Sequence, residues 1–158
     1  MNQAFISREE LQSAFHRVLA DLLAATSASR TTLRLDLAQL AIGVDDPVAE
    51  ALMPGVRPLS GETGLDQRAL NTVRWLAEHR RCLIQDSCRD ADPSPPQALI
   101  DVYGVQAQML GPVIRNDELV AWVSVHENRT VRKWTEADVA ALEQSVAKIH
   151  EILDAARV

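Results

Sequence analysis

The stretch Leu119-Val120-Ala121-Trp122-Val123-Ser124-Val125-His126, closed six residues later by Arg132-Lys133-Trp134-Thr135-Glu136-Ala137-Asp138, decides the fold. Its first part has period two. Ala121, Val123 and Val125 are small and apolar, whereas Trp122, Ser124 and His126 form the other set. Side chains alternate faces along a strand, so this strand has one purely apolar face and one mixed face. The second part changes period. Thr135 is placed to cap a helix, with Asp138 where a capping box usually has Glu. Val139, Leu142, Val146, Ile149 and Leu153 then follow at steps of 3, 4, 3 and 4. A helix from Thr135 to about Ala155 is predicted, with a narrow seam of the kind that two helices use to pack side by side.

Upstream, Gln106–Ile114 has the same alternation and is joined to Leu119–His126 around Asn116-Asp117, which predicts a hairpin. Gln97–Tyr103 is predicted as a short helix before Gly104, and Ser87–Pro96 as a loop. Arg81–Asp86 is read as a short strand. Leu65–His79 is read as a helix burying Ala69, Leu70, Val73, Leu76 and Ala77. Pro54, Gly55, Pro58, Gly61 and Gly64 mark an irregular stretch. Thr31–Asp36 is read as a strand, Leu37–Gln39 as a turn and Leu40–Val44 as the second strand of that hairpin. Ser7 and Glu10 open a helix running to about Ser27, with Leu11, Phe15, Val18, Leu19, Leu22 and Leu23 on one stripe.

These elements predict an α+β fold: a central antiparallel sheet of five or six strands between two layers. The terminal helices cover one face, and the central helix with the loops covers the other. At 158 residues the chain is one domain, divided as 1–28 (N-terminal helix), 29–134 (sheet and pocket region) and 135–158 (C-terminal helix).

Hydrophobic residues make up 47% and charged residues 24%, enough for a core without disulfide or metal staples. The net charge of −6 argues against nucleic acid and anionic membranes as partners. No run is long and apolar enough to span a bilayer, and Met1–Glu10 lacks the form of a secretory signal. The expected location is cytoplasmic, with Cys82 and Cys88 as free thiols.

Four segments resemble the GAF domain family over roughly Ala20–Ala155. Ser29–Asp36 resembles the family's first strand. Ala77–Asp86 resembles the stretch where the central helix ends and a strand leads to an Asp. Gly104–Val113 resembles the central strand, and Leu119–His126 with Arg132–Asp138 resembles the last strand and the start of the last helix. The resemblance implies a PAS-like sensory and ligand-binding module. Cyclic-nucleotide members carry an Asn-Lys…Phe…Asp-Glu pattern. The nearest residues here are Asn128, Arg129, Trp134 and Asp138, with Val139 at the second acid. This partial match implies a structural pair, Arg129 with Asp138, and not cyclic-nucleotide binding.

Alternation places Arg34, Gln106, Gln108, Trp122, Ser124 and His126 on one sheet face. That face is too polar for a plain core, because unpaired buried polar groups cost ~1–3 kcal/mol each. Either it is partly solvated, or it floors a cavity for a small polar or anionic ligand. In GAF domains the ligand sits on that side of the sheet. Arg34 and His126 are then candidates to meet an anionic group, and Trp122 to stack on a planar one. Arg74, Trp75, Asp86 and Tyr103 on the covering elements are candidate walls.

His79, Cys82 and Cys88, with His126, lack a standard zinc spacing, so neither a metal nor another cofactor is expected. No catalytic triad, phosphate loop or carboxylate pair stands out, and no catalytic residue is assigned. The expected function is a small-molecule-binding sensory or regulatory domain without its own catalysis. It would be a homodimer through the terminal helices and would signal to an output protein. Two alternatives remain: a thiol-dependent enzyme like the GAF proteins that reduce free methionine sulfoxide, and a purely structural dimerisation module.

Overall fold

The computed structural model describes residues 6–158. Met1–Phe5, which include the start of the 1–28 segment and half of the Met1–Glu10 stretch, lie outside the described residues. The elements run α1 (Arg8–Thr26), β1 (Arg30–Leu35), β2 (Ala49–Leu52), α2 (Asn71–His79), β3 (Leu83–Gln85), α3 (Gln97–Asp101), β4 (Ala107–Arg115), β5 (Glu118–Glu127) and α4 (Glu136–Ala156). The strands form one antiparallel sheet in the order β2-β1-β5-β4-β3. The fold is therefore α+β with five strands.

Both long helices start at their predicted caps. The Ser7 hydroxyl accepts the Glu10 amide at 3.1 Å. Thr135 and Asp138 form a reciprocal capping box, the hydroxyl accepting the Asp138 amide and the carboxylate accepting the Thr135 amide. The two helices lie against each other and on one face of the sheet. Leu11, Phe15 and Leu19 of α1 and Leu142, Ile149 and Leu153 of α4 bury against Leu33, Leu35, Met109, Val123 and Val125. The α4 seam thus faces its own sheet. Gly111 of β4 makes the close approach possible: a Cβ there would stand 2.9 Å from Val146 Cγ2 and 3.1 Å from Leu142.

The second face carries a smaller core. Val73 and Leu76 of α2 pack on Leu83, Leu110, Leu119 and Trp122. This helix begins at Asn71, later than the predicted Leu65, because Gln67–Ala69 forms a separate single 3-10 turn and Leu70 is extended.

The N-terminal hairpin differs from expectation. Leu40–Val44 is not a strand; Ala38–Leu40 is a 3-10 turn, Ala41 is left-handed at φ 54°, and Leu37 bridges Ile42. The Asp36 carboxylate accepts the Val44 amide at 3.0 Å, a local side-chain bond that competes with ladder pairing. The strand paired with β1 comes later, with Arg30 opposite Leu52 and Leu33 opposite Ala49. A second correction concerns the tie between the last strand and helix. Arg132, not Arg129, holds Asp138, at 3.1 and 3.2 Å, and also reaches Glu127. Arg129 pairs with Glu127 instead.

Candidate functional site

Between the sheet and its second covering layer lies a cavity of about 320 Å³. Its floor is Arg34 of β1, Gln108 and Leu110 of β4, and Trp122, Ser124 and His126 of β5. Arg57, Leu59, Glu62, Leu65 and Gln67 of the irregular stretch form the roof. Thr72 and Val73 of α2, and Leu99, Val102 and Tyr103 around α3, close the sides. Period-two alternation explains the floor. Residues 122, 124 and 126 face the cavity while 121, 123 and 125 sit in the helix-covered core.

Of the ten candidate residues, the fold brings six together here: Arg34, Tyr103, Gln108, Trp122, Ser124 and His126. The other four lie outside the cavity wall. Arg74 is on the exposed face of α2. Trp75 is half-buried beside it and stacks on His79, with ring centroids 4.3 Å apart. Asp86 ties down the segment before α4: its carbonyl accepts the Arg132 amide at 3.0 Å, and its carboxylate faces the Trp134 amide. Gln106 precedes β4, where its backbone joins Glu127 and Cys88. The phase of the floor is right for Gln106, but the strand begins one residue too late to carry it under the roof.

Arg34 is 6% exposed. One Nη donates to the Val44 carbonyl at 2.9 Å, which aims the guanidinium along the floor. Burial lowers its pKa, and Glu50, Asp46 and Asp45 oppose that at longer range. Arg34 is in no ion pair among the described residues. His126 is 3% exposed, and its Nδ1 stands 2.9 Å from an Nη of Arg30. A guanidinium only donates, so Nδ1 is the acceptor and the imidazole is neutral with its proton on Nε2. Burial, then Arg30, then Arg34 push the His126 pKa well below its usual range, in agreement with that tautomer.

The β1–β5 register sets the layout of the floor. Arg34 faces Trp122 and Arg30 faces His126, so Arg34 and His126 stand four residues apart along the sheet. At about 3.3 Å per residue their backbones are roughly 13 Å apart along the sheet. The floor has an Arg34 end and a His126 end, with Ser124 between them. At the His126 end, Gln108 donates to Gln85 at 2.8 Å, and Gln85 donates to the Pro93 carbonyl at 2.6 Å. Tyr103 lies within cation–π range of Arg30 (5.7 Å) and Arg57 (5.1 Å). Trp122 is only 2% exposed and packed in the α2 core, with Arg68 at 5.8 Å from its ring. It is a wall, not an open stacking platform.

Arg30, Arg57, Leu59 and Glu62 escaped the sequence reading. Arg30 shares parity with Arg34, so starting β1 one residue earlier would have found it. The roof residues lie in a Pro- and Gly-punctuated stretch without periodicity and left no comparable signal. Neither cysteine lines the cavity. Cys82 packs toward the helix-covered core and Cys88 is buried in a 3-10 turn. Burial pushes the Cys82 thiol up to about 11, with Glu143 adding to it, and pushes Cys88 up to about 12. Both are protonated at neutral pH and are poor nucleophiles. Among the described residues no group of three or more His, Cys, Asp or Glu is disposed to hold a metal ion, and no helix is long and apolar enough to cross a membrane.

The sheet in the order β2-β1-β5-β4-β3 thus has two long helices on one face and a loop-roofed cavity with a polar floor on the other. The GAF domain family model matches residues 10–152, so the chain belongs to the GAF domain family. Solved structures agree on the fold. The cyanobacteriochrome receptor PixJ superposes with a TM-score of 0.72 at 17% identity, over 94% of this chain and 97% of that one. The blue-light absorbing PixJ GAF domain of Thermosynechococcus elongatus gives 0.72 at 17% identity, over 98% and 90%. The phycoerythrobilin-bound GAF domain of a cyanobacterial phytochrome gives 0.72 at 14% identity, over 95% and 88%. At such identities the likeness is one of fold. No curated protein sequence matches the chain.

Proposed function

We propose that this GAF domain is a non-catalytic, cytoplasmic sensor or regulator that binds a small molecule in the cavity over β1, β4 and β5. It passes occupancy to an output protein through α1 and α4, which also pair two copies of the chain. One observation carries the ligand reading: a buried cation without a carboxylate partner, Arg34, set in a roofed cavity. A buried charge is normally paired, so a ligand that neutralises Arg34 contributes binding energy the empty site lacks. The family and the fold support the same reading.

The ligand is smaller than the phycoerythrobilin named for one of the structural neighbours. At about 320 Å³ the cavity lies at the low end for small-molecule sites, and no thiol lines it for covalent attachment. A thermal-shift screen of small acids, amino acids and nucleotides tests the binding. A ligand that selects the folded state at a hundredfold excess over its Kd stabilises by about 2.7 kcal/mol, a shift of several degrees. If no class raises Tm, the sensor reading is lost. Sedimentation with and without the stabilising compound tests the pairing; a monomer in both conditions would remove the dimer from the proposal.

A further inference from the structure

The same cavity has a polarity that narrows its occupant, and the following rests on the binding function proposed above. Its charged lining residues are Arg34, Arg57 and Glu62, two cations and one carboxylate, while His126 is neutral. The lining therefore has a formal charge of +1 inside a chain of net −6. Glu62 is on the exposed roof and in contact with water, whereas Arg34 is buried in the floor.

Along the floor, hydrogen-bond donors stand in a row. Arg34 spends one Nη on Val44 and retains further N–H groups. Ser124 adds a hydroxyl next along the floor, and His126 adds an Nε2–H at the far end. Gln67, Thr72, Tyr103 and Gln108 carry groups that both donate and accept, but the three floor groups can all donate, and an ionised carboxylate only accepts. Much of the remaining surface is aliphatic, with Leu59, Leu65, Leu70, Leu99, Val102 and Leu110 making up most of it. A hydroxyl-rich ligand would leave its polar groups unpaired against those walls, at a cost of ~1–3 kcal/mol for each group.

We infer that the ligand is a small amphiphilic monocarboxylate: its head group sits on Arg34 and Ser124, and its apolar body lies between the leucines of the roof and those of α3 and β4. A single positive charge in the lining matches a monoanion better than a phosphate monoester. At about 320 Å³ the cavity accommodates one such acid.

Isothermal titration of the full chain with 4-phenylbutyrate, 4-phenylbutyramide and phenyl phosphate at pH 7.5 tests this. The expected result is that the acid binds at least tenfold more tightly than its amide and than the phosphate. In Arg34→Gln the acid-to-amide ratio should fall to near one, while the amide retains its wild-type affinity. The wild-type ratio needs no variant, so a folding defect in Arg34→Gln leaves the test intact. If the amide binds as well as the acid, or the phosphate binds more tightly, the monocarboxylate inference is overturned while the cavity remains a binding site. If none of the three binds and the thermal-shift screen is also blank, the binding function falls with it.

Discussion

His126 shows how one contact fixes a protonation state. Its Nδ1 accepts from Arg30, so the ring has no site left for a second proton without losing that bond. Its pKa is depressed, and the sign of the consequence follows. Above about pH 6.5 the imidazole is neutral in both folded and unfolded chains. Below it the unfolded chain takes up a proton that the folded one refuses, so this part of the stability is lost as the pH falls toward the folded pKa. Denaturant unfolding at pH 7.5 and 5.5 should show wild type losing more stability than His126→Gln; equal losses would mean His126 is not held neutral. Gly111 is the second such residue. A methyl group there meets Val146 and Leu142 at 2.9 and 3.1 Å, so Gly111→Ala should cost about 1–3 kcal/mol. Adding Val146→Ala should recover part of that cost, giving a non-additive cycle. Additive losses in the double variant would place the strain elsewhere.

At the scale of elements, the irregular roof is held by acidic side chains that accept backbone N–H groups. Glu50 of β2 accepts the amides of Leu59 and Ser60, each at 2.9 Å, and also the Ser60 hydroxyl. Asp46 accepts the Gly61 amide at 2.9 Å and Asp45 the Gln67 amide at 3.1 Å. Arg30 holds the Arg57 carbonyl from below. Glu50→Ala removes the largest of these clasps, at a cost of about 2 kcal/mol. Hydrogen exchange at Leu59 and Ser60 should then accelerate more than tenfold, while α4 keeps its protection. Unchanged exchange at those two amides would show the roof to be held by packing alone. The clasps also explain what the sequence concealed. Strands and helices announce themselves by period, and β4, β5, α1 and α4 were legible within a few residues. The roof is ordered by Asp45, Asp46 and Glu50 reaching to backbone amides 9–22 residues away. Nothing in local sequence marks such long bonds, so half of the cavity wall stayed hidden. β2 was misplaced for the same kind of reason, since the Asp36–Val44 bond folded the expected strand into a turn.

The whole molecule separates two chemistries that the sequence left side by side. The thiols lie away from the cavity and are held protonated, so replacing both is expected to be silent for binding. Cys82→Ser with Cys88→Ser should bind 4-phenylbutyrate within twofold of wild type; loss of binding without loss of fold would return a thiol role to the site. The apolar core was largely legible, because Leu11, Phe15, Leu142, Ile149, Val123 and Val125 fall on clear stripes. The floor was legible through Arg34, Gln108, Ser124 and His126, but its two-ended layout was not, because that depends on the β1–β5 register. The α4 seam meets both α1 and the sheet, as the spacing predicted. Its spacing suits another helix as well as it suits a flat strand bearing glycine.

That glycine also sets the thickness of the molecule at its most informative point. Leu110 touches the cavity and Gly111, the next residue, touches α4 with no side chain in between. The cavity and the helix on the far face of the sheet are thus separated by one peptide unit. On the proposed sensor reading, a guest that pushed Leu110 aside would bear on the seat of α4 directly, as a fingertip moves a thin membrane, with no relay of side chains between them.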